Sequence, residues 1–483
     1  MAIRNIFLQI GRSSLILNLT SIVSCRIVNN MIALITFGYA ARVLGAEMFG
    51  IVGFGASVAA YAGIMTLPGI TIWGTRTIAT DRDSMGKTFL IVNSTILLFA
   101  CLAFFFLILF SLTLASPVEK KIVLLSGLTL FSTALSLEWV FNGLEQMRIP
   151  AMLSIIGTSV YTVTLLTLVK SPADVYIFPL LMPGSLILVA FVSFFVLIKY
   201  FPTYFSRPKW SDYRKALSGA AVLGLMASIV IILHFANNLI VKAYLGAFSL
   251  GIFLAAFKIV ELLSSIPAIL ASIFFARLAR YVANNRGDAQ KQAGIYAHIH
   301  MIMAFFIAAF MVAEATEIIN FIYGEKYAGS VVILQIMSIA VIFNFVIYGY
   351  TNCLVSFSQD RTMLLVVIVS AAVSIVGGLI FVPWLGVIGA AVAISLIDLS
   401  GWLASAPKYR KMIGSLRLHL WIKPALGFLG MTGILFFLQK MHWPLYLRIP
   451  LASILYLAWL NTEIKSILRS IMEPVLVSRG THD

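Results

Sequence analysis

The chain has 483 residues, of which 61% are hydrophobic and only 11% are charged, and its mean hydropathy is +1.01. Soluble domains are about 45–50% apolar and about 25% charged, so this composition excludes an ordinary soluble protein and predicts a chain that faces lipid over most of its surface. The net charge of +16 does not indicate nucleic-acid binding, because basic loops that fix membrane topology explain it better on so apolar a chain.

Apolar runs follow one another along the whole chain. A membrane-spanning helix needs about 20 apolar residues, and the first run, from Ser13, is too long for a signal-peptide core of about 7–15 residues. The breaks between runs do not exceed roughly twenty residues, so no soluble domain is expected. The sequence predicts about fourteen helices, named helix 1 to helix 14 below, at 13–40, 44–73, 88–115, 118–143, 150–169, 174–199, 214–240, 246–274, 293–317, 329–352, 362–382, 385–406, 420–438 and 444–464.

The basic residues predict the orientation of these helices. An even number of spans puts both termini on the same side of the membrane. Of the 34 Lys and Arg residues, 24 fall on that side, 8 fall on the other side, and two lie inside spans. Because cytoplasmic loops carry an excess of Lys and Arg, both termini are predicted to be cytoplasmic.

An internal repeat appears when the sequence is compared with itself at an offset of 201 positions. Leu44-Gly45-Ala46 matches Leu245-Gly246-Ala247, Gly50-Ile51 matches Gly251-Ile252, and Arg76 matches Arg277. Both copies open the second helix of a six-helix set, and repeated halves are a common plan of transporters. We therefore expect an N-lobe at 1–205 (helices 1–6), a C-lobe at 206–415 (helices 7–12), and a segment at 416–483 with helices 13 and 14 and a cytoplasmic tail.

The two basic residues predicted inside spans are Arg26 in helix 1 and Lys258 in helix 8. A cation near the bilayer centre costs about 2.5–3.5 kcal/mol on insertion scales, so intramembrane ionisable groups are functional candidates by default. Asn30 follows Arg26 by four residues and Glu261 follows Lys258 by three, which extends each cation into a polar stripe. Lys258 and Glu261 could simply neutralise each other within the helix. The favoured interpretation is that Arg26 and Lys258 line a cavity and bind an anionic substrate.

Other polar residues within the predicted spans are expected mainly to form hydrogen bonds between helices. Glu138 in helix 4 and Asp398 in helix 12 are also candidates for coupling to Na+ or H+. Gly86-Lys87-Thr88 is not a phosphate loop, because Asp81 stands where that loop needs glycine. Neither a catalytic motif nor a metal-ligand pattern occurs, and no enzyme is expected. The remaining polar residues in spans include Asn142, His234, Asn237, Asn238, Gln335 and Asn344.

Four motifs resemble one family. Arg42-Val-Leu-Gly45-Ala-Glu47-Met-Phe49-Gly50 resembles the start of helix 2 in bacterial polysaccharide flippases of the MOP superfamily, the Wzx-type transporters of O-antigen and related oligosaccharides. Three further motifs resemble that family's helix 4 end, helix 9–10 loop and helix 12 start; they are Glu138-Trp139-Val-Phe-Asn142-Gly143-Leu-Glu145-Gln-Met147, Tyr323-Gly324-Glu325-Lys326-Tyr327 and Gly386-Val-Ile-Gly389-Ala390-Ala391.

The resemblance implies an all-α polytopic protein with two pseudo-symmetric six-helix lobes in a V around a central cationic cavity, with two C-terminal helices appended. It implies a cavity lined by helices 1, 2, 7 and 8, and alternating access that carries an undecaprenyl-diphosphate-linked oligosaccharide from the cytoplasmic to the periplasmic leaflet of a bacterial inner membrane. Implied partners are that glycan, membrane lipids and the polymerase of the same glycan pathway. Family members often carry Asp where helix 7 has Asn237-Asn238, so an acid there is not expected to couple transport.

Three other functions remain possible at this stage. A lipid II flippase of peptidoglycan synthesis would use similar chemistry. A multidrug or ion antiporter of the same superfamily would favour cationic substrates, which two buried basic groups disfavour. A membrane glycan polymerase or ligase usually displays a large periplasmic loop, and none is predicted here.

Overall fold

The computed structural model describes residues 15–201, 205–284, 286–357, 359–413, 419–465 and 467. These residues form helices joined by short turns, and no strand occurs among them, so the expected all-α fold is confirmed. The chain divides into two compact units. The first contains Met1–Lys258, Ile322–Gly329 and Ala371–Ala393, and the second contains Ile259–Phe321, Ser330–Ser370 and Ile394–Asp483. The lobe boundaries expected from the sequence stay a prediction, and the expected tail beyond 467 lies outside the described residues.

Eleven helices in the described part of the chain are long and apolar enough to cross a membrane, and two of these, Ser24–Thr66 and Trp210–Leu270, contain two predicted helices each. A straight helix of 61 residues would be about 92 Å long, roughly three times the thickness of the hydrocarbon core. Each long helix is interrupted by one glycine, Gly45 (φ 76°, ψ 166°) or Gly246 (φ 84°, ψ 179°). When the two long helices are divided at these glycines, the eleven helices become thirteen. The shorter helix Leu445–Trp459 brings the number in the described residues to the fourteen that the sequence predicts.

The helices have the following bounds. Helices 1 and 2 form Leu15–Gly63, and helix 2 continues as Gly69–Thr80; helices 7 and 8 form Trp210–Asn284. The others are helix 3 at Met85–Thr113, helix 5 at Arg148–Leu168, helix 6 at Phe178–Tyr200, helix 9 at Arg286–Ala313 with a short helix at Ala315–Ile322, helix 10 at Ser330–Ser356, helix 11 at Asp360–Leu385, helix 12 at Val387–Ile413, helix 13 at His419–Lys440 and helix 14 at Leu445–Trp459.

Helix 4 differs from the single run predicted at 118–143. It consists of Pro117–Gly127, Thr129–Leu135 and Glu138–Gly143. The first interruption lies at Leu128, and the Thr129 hydroxyl beside it donates to the Ser126 carbonyl at 2.7 Å. Ser136 is extended (φ −63°, ψ 133°) and ends the second piece. Apolar composition predicted the span but not these breaks.

Pro68 interrupts helix 2. Proline lacks the N–H that a helix interior needs; the preceding Leu67 is left-handed (φ 55°), and the helix resumes at Gly69. A Cβ at Gly69 would lie 2.1 Å from the backbone nitrogen of Gly224 in helix 7. The second half of helix 2 therefore packs against helix 7 at a distance that only glycine allows.

The two copies of the internal repeat share a backbone conformation and contact each other. Gly45 and Gly246 are equivalent in the repeat, and both have positive φ and extended ψ. A Cβ at Gly50 would lie 1.9 Å from the carbonyl oxygen of Ala247, and a Cβ at Gly251 would lie 1.8 Å from that of Ala46. We call Ala46, Gly50, Ala247 and Gly251 the glycine seam. Its reciprocal contacts are those of a local two-fold relation between helices 2 and 8.

Charged contacts attach helix 14 within the second compact unit. Arg448, 4% exposed, lies 3.4 Å from Oε2 of Glu314, which is 1% exposed, and 3.6 Å from Oε1 of Glu317. Just beyond the end of helix 14, Glu463 Oε2 lies 3.0 Å from Nε2 of His298 in helix 9. Removing one member of so buried a group would leave an uncompensated charge.

Candidate substrate path in the first compact unit

One face of helix 1 carries the residues expected to meet an anionic substrate. Arg26 is exposed and Asn30 is half-buried. Phe37 is eleven residues beyond Arg26, which is three turns plus about 20° of rotation, so Arg26, Asn30 and Phe37 lie on the same face. The Nζ atom of Lys258 is 4.9 Å from the centroid of the Phe37 ring, within the range of a cation–π contact. We call Arg26, Asn30 and Phe37, together with Lys258 of helix 8, which contacts Phe37, the cationic face of helix 1.

The two cations of this face are separated along the helix. Eleven residues correspond to a rise of about 16 Å, so Arg26 and the contact of Lys258 with Phe37 lie at different depths. The side chains of Asn18 and Ile22, which extend the predicted stripe, lie outside the described side chains. Glu261 follows Lys258 by three residues and is half-buried; its pairing with Lys258 stays a prediction.

An adjacent side of helix 1, about 60–140° around the helix axis from Arg26, packs against helix 5 and the residue that follows it. The Asn29 amide donates to the Ser154 hydroxyl at 2.9 Å, the hydroxyls of Thr36 and Thr162 are 2.7 Å apart, and the Tyr39 hydroxyl donates to the Val169 carbonyl at 2.9 Å. Polar contacts of this kind orient helices in lipid. They fix the rotation of helix 1 and therefore the direction in which its cationic face points.

Asn237 and Asn238 of helix 7 are buried and form hydrogen bonds between helices. The Asn238 amide donates to the Ser57 hydroxyl of helix 2 at 2.9 Å, and the Asn237 amide donates to the Ser374 hydroxyl of helix 11 at 3.1 Å. The predicted role in holding spans together is confirmed for both. Helix 7 presents neutral amides here, and these are used in packing.

The two acidic candidates, Glu138 and Asp398, lie on helices 4 and 12. Asp398 of helix 12 accepts a hydrogen bond from the Asn344 amide at 3.2 Å, in the second compact unit. Glu138 is exposed and lies in the first turn of Glu138–Gly143. A shared site for the six candidate residues stays a prediction. Nowhere in the described ranges do three or more His, Cys, Asp or Glu residues form a group that could hold a metal ion.

Two ion pairs that the sequence analysis missed join helix 7 to earlier helices. Lys87 Nζ lies 2.7 Å from Asp212 Oδ2, and Lys242 Nζ lies 2.8 Å from Glu119 Oε1. The partners are more than 120 positions apart in the sequence, and no local pattern connects them.

The sequence matches a family over more than half of its length. The model of the family described as polysaccharide biosynthesis protein matches residues 15–276. No curated protein matches this sequence.

Solved structures of transporters share the fold. The lipid II flippase MurJ in an inward closed conformation superposes with a TM-score of 0.73 at 15% identity, covering 94% of this chain and 100% of that chain. An inward-facing multidrug resistance MATE family transporter of the MOP superfamily gives a TM-score of 0.62 at 12% identity, covering 82% and 99%. A MOP superfamily transporter from Pyrococcus furiosus Vc1 gives 0.58 at 14% identity, covering 82% and 96%.

Identities of 12–15% establish similarity of fold and no more. The family match is independent of them and covers helices 1 to 8, including the cationic face of helix 1 and the glycine seam. The chain is a multi-pass membrane protein with the fold of MOP superfamily transporters, and it belongs to the polysaccharide biosynthesis protein family.

Proposed function

We propose that this protein is a flippase that moves an undecaprenyl-diphosphate-linked oligosaccharide, such as a repeat unit of O-antigen, capsule or exopolysaccharide, from the cytoplasmic to the periplasmic leaflet of a bacterial inner membrane. Both termini are cytoplasmic in this proposal, and access alternates between the two sides. The observation that carries it is the cationic face of helix 1, in a chain of the polysaccharide biosynthesis family.

The barrier that such a protein removes is large. Each sugar hydroxyl that enters hydrocarbon without a hydrogen-bond partner costs about 2–7 kcal/mol, so a bare bilayer is impassable to an oligosaccharide. The lipid tail can remain in the bilayer while the head group follows a polar path. The diphosphate is anionic; Arg can bind its oxygens in a bidentate manner, and Lys can bind them as a point charge.

The spacing along helix 1 supports successive contacts with the diphosphate. Arg26 and the Lys258 contact differ in depth by about 16 Å, which is too far for one diphosphate group to bridge at once. In the proposed topology Arg26 lies nearer the cytoplasm and Lys258 lies deeper. The anion would meet Arg26 first and pass to Lys258 as the cargo crosses.

For energy coupling we propose Asp398, with Na+ or H+ as the coupling ion. Its carboxylate accepts from the Asn344 amide, and the buried Oδ1 of Asn344 has no hydrogen-bond partner. Carboxylate and amide oxygens are ligands that hard cations prefer. Asp398→Asn should reduce transport and remove its dependence on the coupling ion while leaving cargo binding intact. An unchanged dependence on Na+ and pH in that variant would contradict this assignment.

The main test removes both cations of the path. Arg26→Gln combined with Lys258→Gln should stop glycan export while protein level and membrane insertion stay normal. The control is Arg82→Gln, since Arg82 is exposed and lies 3.8 Å from Glu145, which is also exposed; it should export as the unmodified protein does. Export at the normal rate in the double variant would exclude the cationic face as the substrate path.

A deletion strain identifies the cargo. Undecaprenyl-linked oligosaccharide should accumulate on the cytoplasmic leaflet, and its mass gives the repeat unit. Accumulation of lipid II, or increased sensitivity to cationic drugs without any glycan defect, would contradict the proposal.

A further inference from the structure

Helix 7 has an ion pair near each end. Asp212 pairs with Lys87 in helix 3, and Lys242 pairs with Glu119 in helix 4. The helix is uninterrupted between Asp212 and Lys242, and thirty residues correspond to about 45 Å. A bilayer with its head groups is about 40–45 Å thick. The two pairs are therefore far enough apart to lie at opposite membrane interfaces.

Further contacts fasten helix 7 along its length within the first compact unit. At the Asp212 end, the hydroxyls of Tyr213 and Ser94 are 3.0 Å apart. At mid-length, the Tyr61 hydroxyl donates to the Ile232 carbonyl at 3.2 Å. At the other end, the ammonium of Lys242 lies 5.4 Å from the ring centroid of Phe54, and the glycine seam begins a few residues further on. An alternating-access carrier must release one of these ends at a time.

We propose that the two ion pairs are opposing latches. Loss of the Lys242–Glu119 pair opens the periplasmic end, and loss of the Lys87–Asp212 pair opens the cytoplasmic end. The anionic group of the cargo competes with the carboxylate of each pair for its lysine, which supplies the differential binding that any ligand-driven change requires. The latches rest on the proposed topology and alternating access, and this last clause rests in addition on the proposed cargo.

The two latches differ in strength. The side chains of Lys242 and Glu119 are 18% and 15% exposed, whereas those of Lys87 and Asp212 are 36% and 24% exposed. A more buried pair is less screened by water and leaves a more costly unpaired charge when it breaks. The periplasmic latch should therefore hold more firmly, and the resting protein should open more readily to the cytoplasm.

Labelling of single cysteines from one side of the membrane tests the latches. The periplasmic reporter is Ser57→Cys, at a buried site on helix 2, and the cytoplasmic reporter is Ala220→Cys, at a buried site on helix 7. Each is placed in a chain that retains export after its native cysteines are replaced by serine, and each is reacted with a membrane-impermeant maleimide in oriented vesicles. The native cysteines are Cys25, Cys101 and Cys353.

The two neutralising variants should have opposite effects. Glu119→Gln should raise periplasmic labelling of Ser57→Cys about tenfold, equivalent to about 1.4 kcal/mol, without raising cytoplasmic labelling of Ala220→Cys. Lys87→Gln should raise cytoplasmic labelling about threefold and leave periplasmic labelling unchanged. Arg82→Gln, which breaks an exposed ion pair away from helix 7, should change neither rate.

Charge reversal distinguishes a latch from general damage. Lys242→Glu combined with Glu119→Lys should restore the low periplasmic labelling rate, because the pair is rebuilt with its charges exchanged. Wild-type labelling in Glu119→Gln, or equal increases from both sides, would overturn the proposal.

Purified protein in nanodiscs tests the role of the cargo anion with undecaprenyl diphosphate as the probe. The lipid should increase Ser57→Cys labelling in the unmodified latch. It should have no further effect in Lys242→Gln, where labelling is already high. If the two neutralising variants have opposite effects but the lipid changes neither labelling rate, the ion pairs are latches and the proposed competition by the cargo anion is wrong. Normal latches in a strain whose glycan export does not depend on this protein would instead overturn the proposed function.

Discussion

Replacing Gly50 by alanine should force helix 2 and helix 8 apart. The new Cβ would lie 1.9 Å from the carbonyl oxygen of Ala247, whereas real Cβ atoms essentially never come closer than 3.0 Å to a neighbour. The helices must therefore separate by at least 1.1 Å, and the obstacle is backbone, which cannot rotate away. Overpacking of this kind costs about 1–3 kcal/mol. Against this, alanine gains up to about 1 kcal/mol over glycine in a helix.

Thermal unfolding of the purified protein measures the net effect, with Gly184→Ala in helix 6 as the matched control. No atom lies within 4 Å of a Cβ at Gly184, so that variant should keep the helix-propensity gain and unfold at the same or a higher temperature. Gly50→Ala should unfold at a lower temperature. Gly251→Ala should lower stability less in the Gly50→Ala protein than in the wild type, because both residues belong to the glycine seam and their effects are not independent. Equal stability of Gly50→Ala and Gly184→Ala would refute this reasoning.

Three further predictions concern stability. Arg448→Met should destabilise the protein by about 3–5 kcal/mol, since it leaves the carboxylate of Glu314 buried and unpaired; adding Glu314→Gln should recover most of that loss in thermal unfolding, and no recovery would point to lost packing instead. Gly246→Ala should cost about 1–3 kcal/mol from backbone strain alone, because φ 84° with ψ 179° is a conformation essentially restricted to glycine and a Cβ there meets no atom within 4 Å; unchanged unfolding would show that the backbone relaxes. Hydrogen bonds from the backbone N–H groups of Lys170 and Ser171 and from the Ser171 hydroxyl lower the pKa of Asp174. Its stabilisation is therefore present above its unfolded pKa of about 3.9 and is lost as pH falls through the folded value. Asp174→Ala should unfold earlier than the wild type at pH 7, and the two should converge once the pH has fallen below the folded pKa of Asp174; a gap that persists there would contradict a role for the ionised carboxylate.

The helices were predictable because apolar stretches near the length that crosses a membrane alternate with short charged or Pro/Gly-containing breaks along the sequence. The interruptions at Gly45 and Gly246 were also visible in the sequence. These glycines occupy equivalent positions of the repeat, and glycine alone adopts positive φ without strain. The breaks in helix 4 were not predictable. They lie within one continuous apolar run, and apolar composition carries no information about where such a run leaves helical geometry.

The candidate site was predictable only one residue at a time. Arg26 and Lys258 stood out because cations are rare in spans, but the contact of Lys258 with Phe37 depends on how helices 1 and 8 pack. The Lys242–Glu119 pair was hidden for the same reason. Both residues lie at predicted helix ends, where charged groups are ordinary, and only the fold brings them to 2.8 Å.

Gly246 is the single non-helical residue between helices 7 and 8, so no loop separates the two helices. Lys242 lies four residues before it, and Gly251 lies five residues after it. Displacement of the end of helix 7 therefore acts on the start of helix 8 through the two backbone torsion angles of a single residue. In the latch proposal, movement at the Lys242–Glu119 pair and movement at the glycine seam are coupled through this residue, and no separate hinge loop is needed.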